Sequence, residues 1–384
     1  MAHDDTLLSL QETLNLVKLP RRGEVRRFMS TRGAYLPGSD FPAGREMPMF
    51  HKASYGGHVY GQSALAAYRV WRELEDERGA KQQERLDLHA IHGFFTRAGI
   101  PDRPFIYDVT PLTSSRTFST LSVTARQPSK PSTRVNPLGN ERFPLADAAL
   151  PLSPPAFTAI CSLKLPEPDS AGVSTQESPP QTRFAAILSQ RAPHAWPPAP
   201  PVDLTGVVAL VGADQPGRFP IAEMRKVDMS AYNTGRDVHE RRELVLYRLR
   251  LRRSSPDTTG SSSSSEEGWE WDANAHVAAH AYIADRNGLL MVANHIGFGF
   301  TLTRAASLSY SFVMHVGAEQ AVMRHHDDGS DSDGWWIQEA WFPRSGAGRG
   351  IVESKIWSPA GVHVASEYQD GLVQGLADTG RTES

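Results

Sequence analysis

One cysteine in 384 residues, Cys161, excludes a disulfide framework within the chain and suits a reducing compartment. It sits in the apolar run 156–163 (AFTAICSL), where a buried inert thiol is expected and not a nucleophile. Long hydrophobic runs are also missing, and none approaches the ~20 apolar residues of a membrane span. The first residues, MAHDDTLLSLQETLNL, are acidic and amphipathic and lack the basic-then-apolar order of a secretory leader. The last three, Thr-Glu-Ser, do not match the Ser-Lys-Leu peroxisomal address, so a cytoplasmic protein is expected, with a peroxisomal one as the alternative. There is no excess of one charge: 40 Lys and Arg against 43 Asp and Glu give a net charge of −3. That balance argues against a nucleic-acid or membrane-surface binder. What remains is a globular composition, 40% hydrophobic and 22% charged, with length enough for two domains and their cores.

Three stretches read as irregular. Residues 128–155 and 165–203 are rich in proline, the second containing LPEPDSAGVSTQESPP and HAWPPAPPVDL, which does not suit a helix or a central strand. Residues 253–267 carry a five-serine run followed by two glutamates, a composition that stays solvated. The first and third read as loop insertions and the second as a linker. The expected division is an N-terminal domain 1–164, a linker 165–219 and a C-terminal domain 220–384.

Each half then shows the same plan. In the first, residues 60–74 have apolar Leu65, Tyr68, Val70 and Trp71 on one helical face, preceded by Gly56-Gly57, which permits close backbone approach. Strand-like runs follow at 87–96, 104–112, 117–127 and 156–163. In the second, a strand at 244–251 leads to a helix at 274–285, with Asp272 or Asn274 as its N-cap. Strands are expected at 307–316, 335–342, 350–357 and 363–373. A helix followed by antiparallel strands, twice over, is a tandem α+β arrangement. The first strand after each helix, LHAIHGFFTR and LSYSFVMHV, is weakly similar to the other, as a duplication requires.

Several fragments in this order carry a resemblance. They are Tyr55-Gly56-Gly57 with Gly61-Gln62, Leu88-His89-Ala90-Ile91-His92-Gly93-Phe94-Phe95, Pro104-Phe105-Ile106-Tyr107-Asp108-Val109, and Ser115-Arg116-Thr117-Phe118 through Ala125-Arg126-Gln127. The C-terminal half adds Ala281-Tyr282-Ile283-Ala284-Asp285, Ala306-Ser307-Leu308, Met314-His315, and Val364-Ala365-Ser366 through Gln369-Asp370-Gly371. Together they resemble the acyl-CoA thioesterase II family, built from two hot-dog domains on one chain. The resemblance implies a double hot-dog fold, each sheet wrapped around a long helix, and an acyl-CoA or related acyl thioester as substrate. It implies no cofactor, no metal and a homo-oligomer. It also places the family's water-holding trio at Asp285, as general base, and at Ser307 and Gln369, as hydrogen-bonding positioners. One departure stands out. After Ser-Leu the family commonly has Asp-His, and this chain has Ser309-Tyr310. That change motivates a second reading, a biosynthetic enzyme performing a cyclisation or dehydration in the same cleft; a non-catalytic acyl-binding protein is a third.

Other signals carry less. His276 and His280 have a zinc-compatible spacing but lack a third ligand, and are expected to be exposed or at the edge of the core. Residues 327–334 (DDGSDSDG) do not fit the calcium-loop pattern and read as a polar turn. Residues 346–350 (GAGRG) lead into a strand and read as a hairpin loop, not a dinucleotide fingerprint. His92 and His315 occupy similar places in the two halves and are expected to pack the cleft.

Overall fold

Two short strands, β1 (Leu16–Arg22) and β2 (Val25–Ser30), precede the long helix α1 (Gly56–Arg78), and four strands follow it. These are β3 (Asp87–Phe95), β4 (Ile106–Ser114), β5 (Phe118–Arg126) and β6 (Phe157–Lys164). The second half repeats this with β7 (Ala222–Lys226), β8 (Glu243–Leu249), helix α2 (Ala273–Ala284) and a further helix α3 (Gly288–His295). It ends with β9 (Leu302–Met314), β10 (Trp336–Gly346), β11 (Arg349–Trp357) and β12 (His363–Gly375). The computed structural model describes residues 8–38, 53–79, 85–132, 134, 142–167, 174–211, 219–250, 272–324 and 334–375. The serine run at 253–267 and most of the 327–334 turn lie outside these residues.

All twelve strands form one antiparallel sheet in the order β1-β2-β4-β5-β6-β3-β9-β12-β11-β10-β8-β7. Read outward from the centre, the two halves have the same order, each C-terminal strand matching the N-terminal strand six places before it. The join is β3 against β9, with Ala90 opposite Val313 and Gly93 opposite Tyr310. This is a double hot-dog, the α+β class the sequence predicts.

The sheet curls around α1 and α2, which pack against one another. Every one of the twelve residues of α2 is buried, an Ala-rich segment with no polar face to give to solvent. Its start is fixed by Asp272, whose side chain accepts the Asn274 N–H at 2.9 Å. The two helices approach through glycines. A Cβ on Gly57 would lie 2.4 Å from the Tyr282 carbonyl oxygen, and one on Gly61 would lie 3.0 Å from that of Ala278. One hydrophobic core therefore runs through both halves, from Val59, Leu65 and Trp71 on α1 to Val277 and Ile283 on α2.

Of the strands and helices named above, β1, β2, β7 and α3 have no counterpart among the expected ones. The proline-rich 165–203 stretch also holds structure, with one-turn helices at Pro180–Arg183 and Ala185–Leu188. Pro180 opens the first of these, where its missing N–H costs nothing. Phe184 and Trp196 from this stretch are buried with Leu244, Ile337 and Trp357 of the C-terminal sheet. The 346–350 loop is a tight hairpin between β10 and β11, with Ala347 and Gly348 both at positive φ (50° and 70°).

Two expectations about histidines need correcting. His276 and His280 are buried, not exposed or peripheral. His280 bridges Tyr247 Oη at 2.7 Å and the Ala321 carbonyl at 2.8 Å, and burial lowers its pKa to about 3. His276 Nδ1 accepts the Met323 N–H at 3.2 Å. Both tie α2 to the segment after β9, because a neutral imidazole can donate at one nitrogen and accept at the other. His92 and His315 are exposed on the outer face of the sheet, where they meet Ser311 and Ser366 at 2.9 Å each, and neither packs the cleft.

Candidate active site

Asp285 is the residue that ends α2, and its carboxylate points across to the start of α1. There Oδ2 accepts the Gly57 N–H at 2.8 Å. Tyr55, the residue before α1, offers no side-chain cap of its own, so a carboxylate from the other half takes that place. The Tyr-Gly-Gly sequence explains itself here. Tyr55 Oη donates to the Tyr282 carbonyl at 2.6 Å, locking the two helix ends together. Gly56 leaves room for the carboxylate, since a Cβ there would lie 2.9 Å from Asp285 Oδ2.

Gln369 reaches in from β12. Its Nε2 donates to Asp285 Oδ1 at 2.5 Å and to Ser307 Oγ at 2.8 Å, so one amide group joins all three side chains. Ser307 is brought to this face by a bulge. Gln369 lies opposite Tyr310 and Asp370 opposite Ser309, but Gly371 lies opposite Ser307, which leaves Leu308 as the extra residue. Without the bulge, strict alternation from inward-facing Tyr310 would turn Ser307 outward. The three residues named from the sequence are therefore in mutual contact.

The electrostatics of Asp285 are set by opposing effects. Burial raises its pKa to about 7, against the lowering effect of the Gly57 N–H, Gln369 and Ser307. The helix ends also oppose each other: the C-terminus of α2 disfavours an anion, and the N-terminus of α1 favours it. A carboxyl poised near neutrality can hold and release a proton under ordinary conditions.

The trio faces a cleft of about 320 Å³ between the halves. Tyr55, Gly56, Phe95 and Arg97 line it from one side, and Asp285, Gly288, Leu289, Arg304, Ser307 and Gln369 from the other. Arg97 and Arg304 are exposed at the rim. Behind the trio lies a second buried acid, Glu367, which contacts Ser354 and is held well above the usual carboxylate range by burial. Gln338 ties this layer to α2 by donating to the Ala284 carbonyl at 2.8 Å.

Several residues of the site were not singled out from the sequence. Asn287 takes a left-handed conformation, φ 64°, which Asn tolerates better than most residues, and the chain restarts at once as α3. Arg286 is buried, donating to the Ala199 and Pro200 carbonyls at 3.1 Å each, with its guanidinium 4.3 Å from the Phe219 ring centre. These contacts hold the chain just before Pro201, which lines the cleft. The Asn287-Gly288 pair was visible as a turn signal, and the apolar LLMV after it was the clue to a second helix.

The Ser309-Tyr310 departure also finds its place. Ser309 faces away from the trio, paired with Phe94 and Asp370. Tyr310 is buried; it donates to the Ala281 carbonyl at 2.9 Å and stacks on Tyr60 at 3.6 Å between ring centres.

Comparison with known proteins agrees with this architecture. Residues 44–136 match the family described as the acyl-CoA thioesterase N-terminal domain. Along most of its length the chain is similar to human acyl-coenzyme A thioesterase 8, at 22% identity over 87% of this chain and 85% of that protein. The mouse protein of the same name is 23% identical over 83% and 80%. The chain is therefore similar to acyl-CoA thioesterases along most of its length. Among solved structures, the acyl-CoA thioesterase II TesB2 of Mycobacterium marinum superposes with a TM-score of 0.53 at 19% identity, covering 96% of this chain and 98% of that one. A tesB protein of Mycobacterium avium subsp. paratuberculosis gives 0.53 at 18% identity, covering 95% and 98%. At such identities the likeness of the structures speaks for the shared fold.

Proposed function

We propose that this protein hydrolyses an acyl thioester, acyl-CoA or a close relative, to the free acid and thiol, using a water held by Asp285, Ser307 and Gln369. The observation that carries this is the Gln369 amide, which hydrogen-bonds Asp285 and Ser307 together at the wall of a cleft, beside a carboxyl whose pKa is near 7. Asp285 takes a proton from the water as it attacks the thioester carbonyl. Ser307 and Gln369 fix the water so that its lone pair faces the carbonyl carbon. Negative charge then develops on the carbonyl oxygen. Gly288 and Leu289, the first residues of α3, line the cleft and receive no side-chain cap from Asn287, so their N–H groups are the donors proposed for that oxygen. Collapse expels the thiolate, a good leaving group, and the proton held by Asp285 neutralises it.

The acyl chain would lie along Phe95, Leu289 and Leu372, and the exposed Arg97 and Arg304 at the rim suit the phosphates of a CoA carrier. The test follows thiol release over a chain-length panel of acyl-CoAs for the wild type, Asp285→Ala and Gln369→Ala. Turnover by the wild type, lost in both variants, is expected. Turnover that survives both substitutions removes the site, and a wild type inactive on every thioester removes the function.

A further inference from the structure

Tyr60 lies on α1, in the half of the molecule that does not carry the trio, and it is fully buried. Its ring is held on three sides: stacked on Tyr310 at 3.6 Å and 14°, and tilted against Phe95 at 5.2 Å and Phe157 at 5.5 Å. Tyr310 is the register partner of Gln369, so the stack sets Tyr60 beside the glutamine that joins the trio. The two tyrosines use their hydroxyls differently. Tyr310 Oη is spent on the Ala281 carbonyl, whereas Tyr60 Oη, equally removed from water, makes no hydrogen bond of full geometry in this structure, although Ser307 and Gln369 lie near enough to act on it. An unspent buried hydroxyl is costly to keep, and it needs an explanation.

Ser307 offers one. A serine oxygen has two lone pairs and one proton, and the Gln369 amide occupies one of those lone pairs. We propose that Tyr60 is a positioning residue for the site in the opposite half: its hydroxyl donates to the second lone pair of Ser307 and so turns the Ser307 proton toward Asp285 and the attacking water. With both lone pairs filled, the serine has only a donor role left to play, and the water is held in one orientation. The hydroxyl is suited to this because it remains protonated. Burial, reinforced by the carboxyls of Asp285 and Glu367, holds it well above the ordinary phenol range, against the pull of Ser307 and Gln369. The acidic groups around this cluster are those two carboxyls and the Tyr55 and Tyr310 phenols. Tyr60 does not line the cleft, so its effect passes through Ser307 and not through substrate.

This inference rests on the hydrolytic reading above. The test is a double-mutant cycle of Tyr60→Phe and Ser307→Ala, reading kcat, KM, the acid limb of the pH profile and the thermal midpoint. Tyr60→Phe keeps the ring and its packing and removes a single buried oxygen, so the fold stays intact. We expect kcat to fall on the order of tenfold with KM little changed. The acid limb should also move to higher pH, because Ser307 donates less firmly to the Asp285 carboxylate. In the Ser307→Ala background the same change should have no further effect. If Tyr60→Phe matches the wild type in kcat and acid limb while Ser307→Ala is impaired, Tyr60 has no such role. An equal loss in both backgrounds also overturns it, because Tyr60 would then act independently of the serine. A Ser307→Ala enzyme with full activity refutes the trio itself, and with it this inference.

Discussion

The Asp285 carboxyl ties activity and stability to a single number. Its pKa is pushed from 3.8 to about 7, chiefly by burial. The base form is lost as pH falls, so kcat/KM should decline about tenfold per pH unit below roughly 7 and level off above it. An ordinary carboxylate would place that limb near pH ~4. The same shift lowers stability, and its sign follows from proton binding. The unfolded chain releases this proton at the ordinary aspartate pKa, whereas the folded chain keeps it until near 7. Between the two, the folded state binds more protons, and stability falls as pH rises, by about 1.4 kcal/mol per unit. Above the folded pKa the cost is constant, at most about 4 kcal/mol for a shift of this size. Asp285→Asn has no proton to exchange. From pH ~5.5 to ~8 it should therefore gain about 2 kcal/mol on the wild type, a few degrees in Tm, while kcat drops by about 10²–10⁴. Thermal melts and a pH–rate profile measure both halves. A Tm difference that stays flat across this range, or an acid limb below pH ~5, would refute the argument that burial controls this group.

Three further outcomes follow from individual residues. Gly57→Ala should destabilise the protein by roughly 1–3 kcal/mol or more in urea unfolding, because its Cβ would sit 2.4 Å from the Tyr282 carbonyl oxygen and 2.5 Å from the Tyr55 ring. Arg304→Ala should raise KM for acyl-CoA several-fold at low salt, the effect shrinking by about 0.5 M salt as screening removes the rim charge. It should leave KM unchanged for an acyl thioester that lacks phosphates; equal effects on both substrates would place the arginine elsewhere in the reaction. Cys161, fully buried with its thiol pushed up to about 12, should resist a maleimide in the native protein and react only at the rate of unfolding.

The parts of the fold legible in the sequence are those whose residues answer to a single neighbour. β5 alternates buried and partly exposed residues along nearly its whole length, so its period-2 pattern is plain. The helix α2 shows no alternating face, yet its length and Asp272 cap still mark it. β1 is hidden because Pro20 and two arginines interrupt a seven-residue strand, and β7 because five residues give too short a pattern. α3 is masked by Asn287-Gly288, which reads as a stop although the chain turns there and continues as helix. In the site, Asp285 and Gln369 stand where a helix end and a regular strand put them. Ser307 depends on a bulge at Leu308, and bulges leave no period in the sequence. Tyr60 was legible as a residue at the start of a helix, but its stacking on Tyr310 was not, because that depends on packing across the two halves.

The duplication also bears on why the proposed base lies at one end of the helix pair and not at the other. α1 and α2 run side by side, so a carboxylate sits at each junction between them: Asp285 where α1 begins, and Asp272 where α2 begins. The chemistry around each differs. Asp272 accepts from Tyr68 Oη at 3.1 Å and from Arg72 at 3.2 Å, and this cation closes the junction into a structural cap. Asp285 has no cation among the groups that shift its pKa; it is met by a backbone N–H, an amide and a hydroxyl, all neutral donors. Neutral donors orient a carboxylate without fixing its charge, and burial then carries its pKa toward neutrality. An arginine at the Asp285 junction would favour the charged carboxylate and remove the near-neutral pKa that the proposed base needs. The junction proposed to be reactive is therefore the one where the carboxylate has no ion pair, and the helix contact through Gly56 and Gly57 makes room for it to face the cleft.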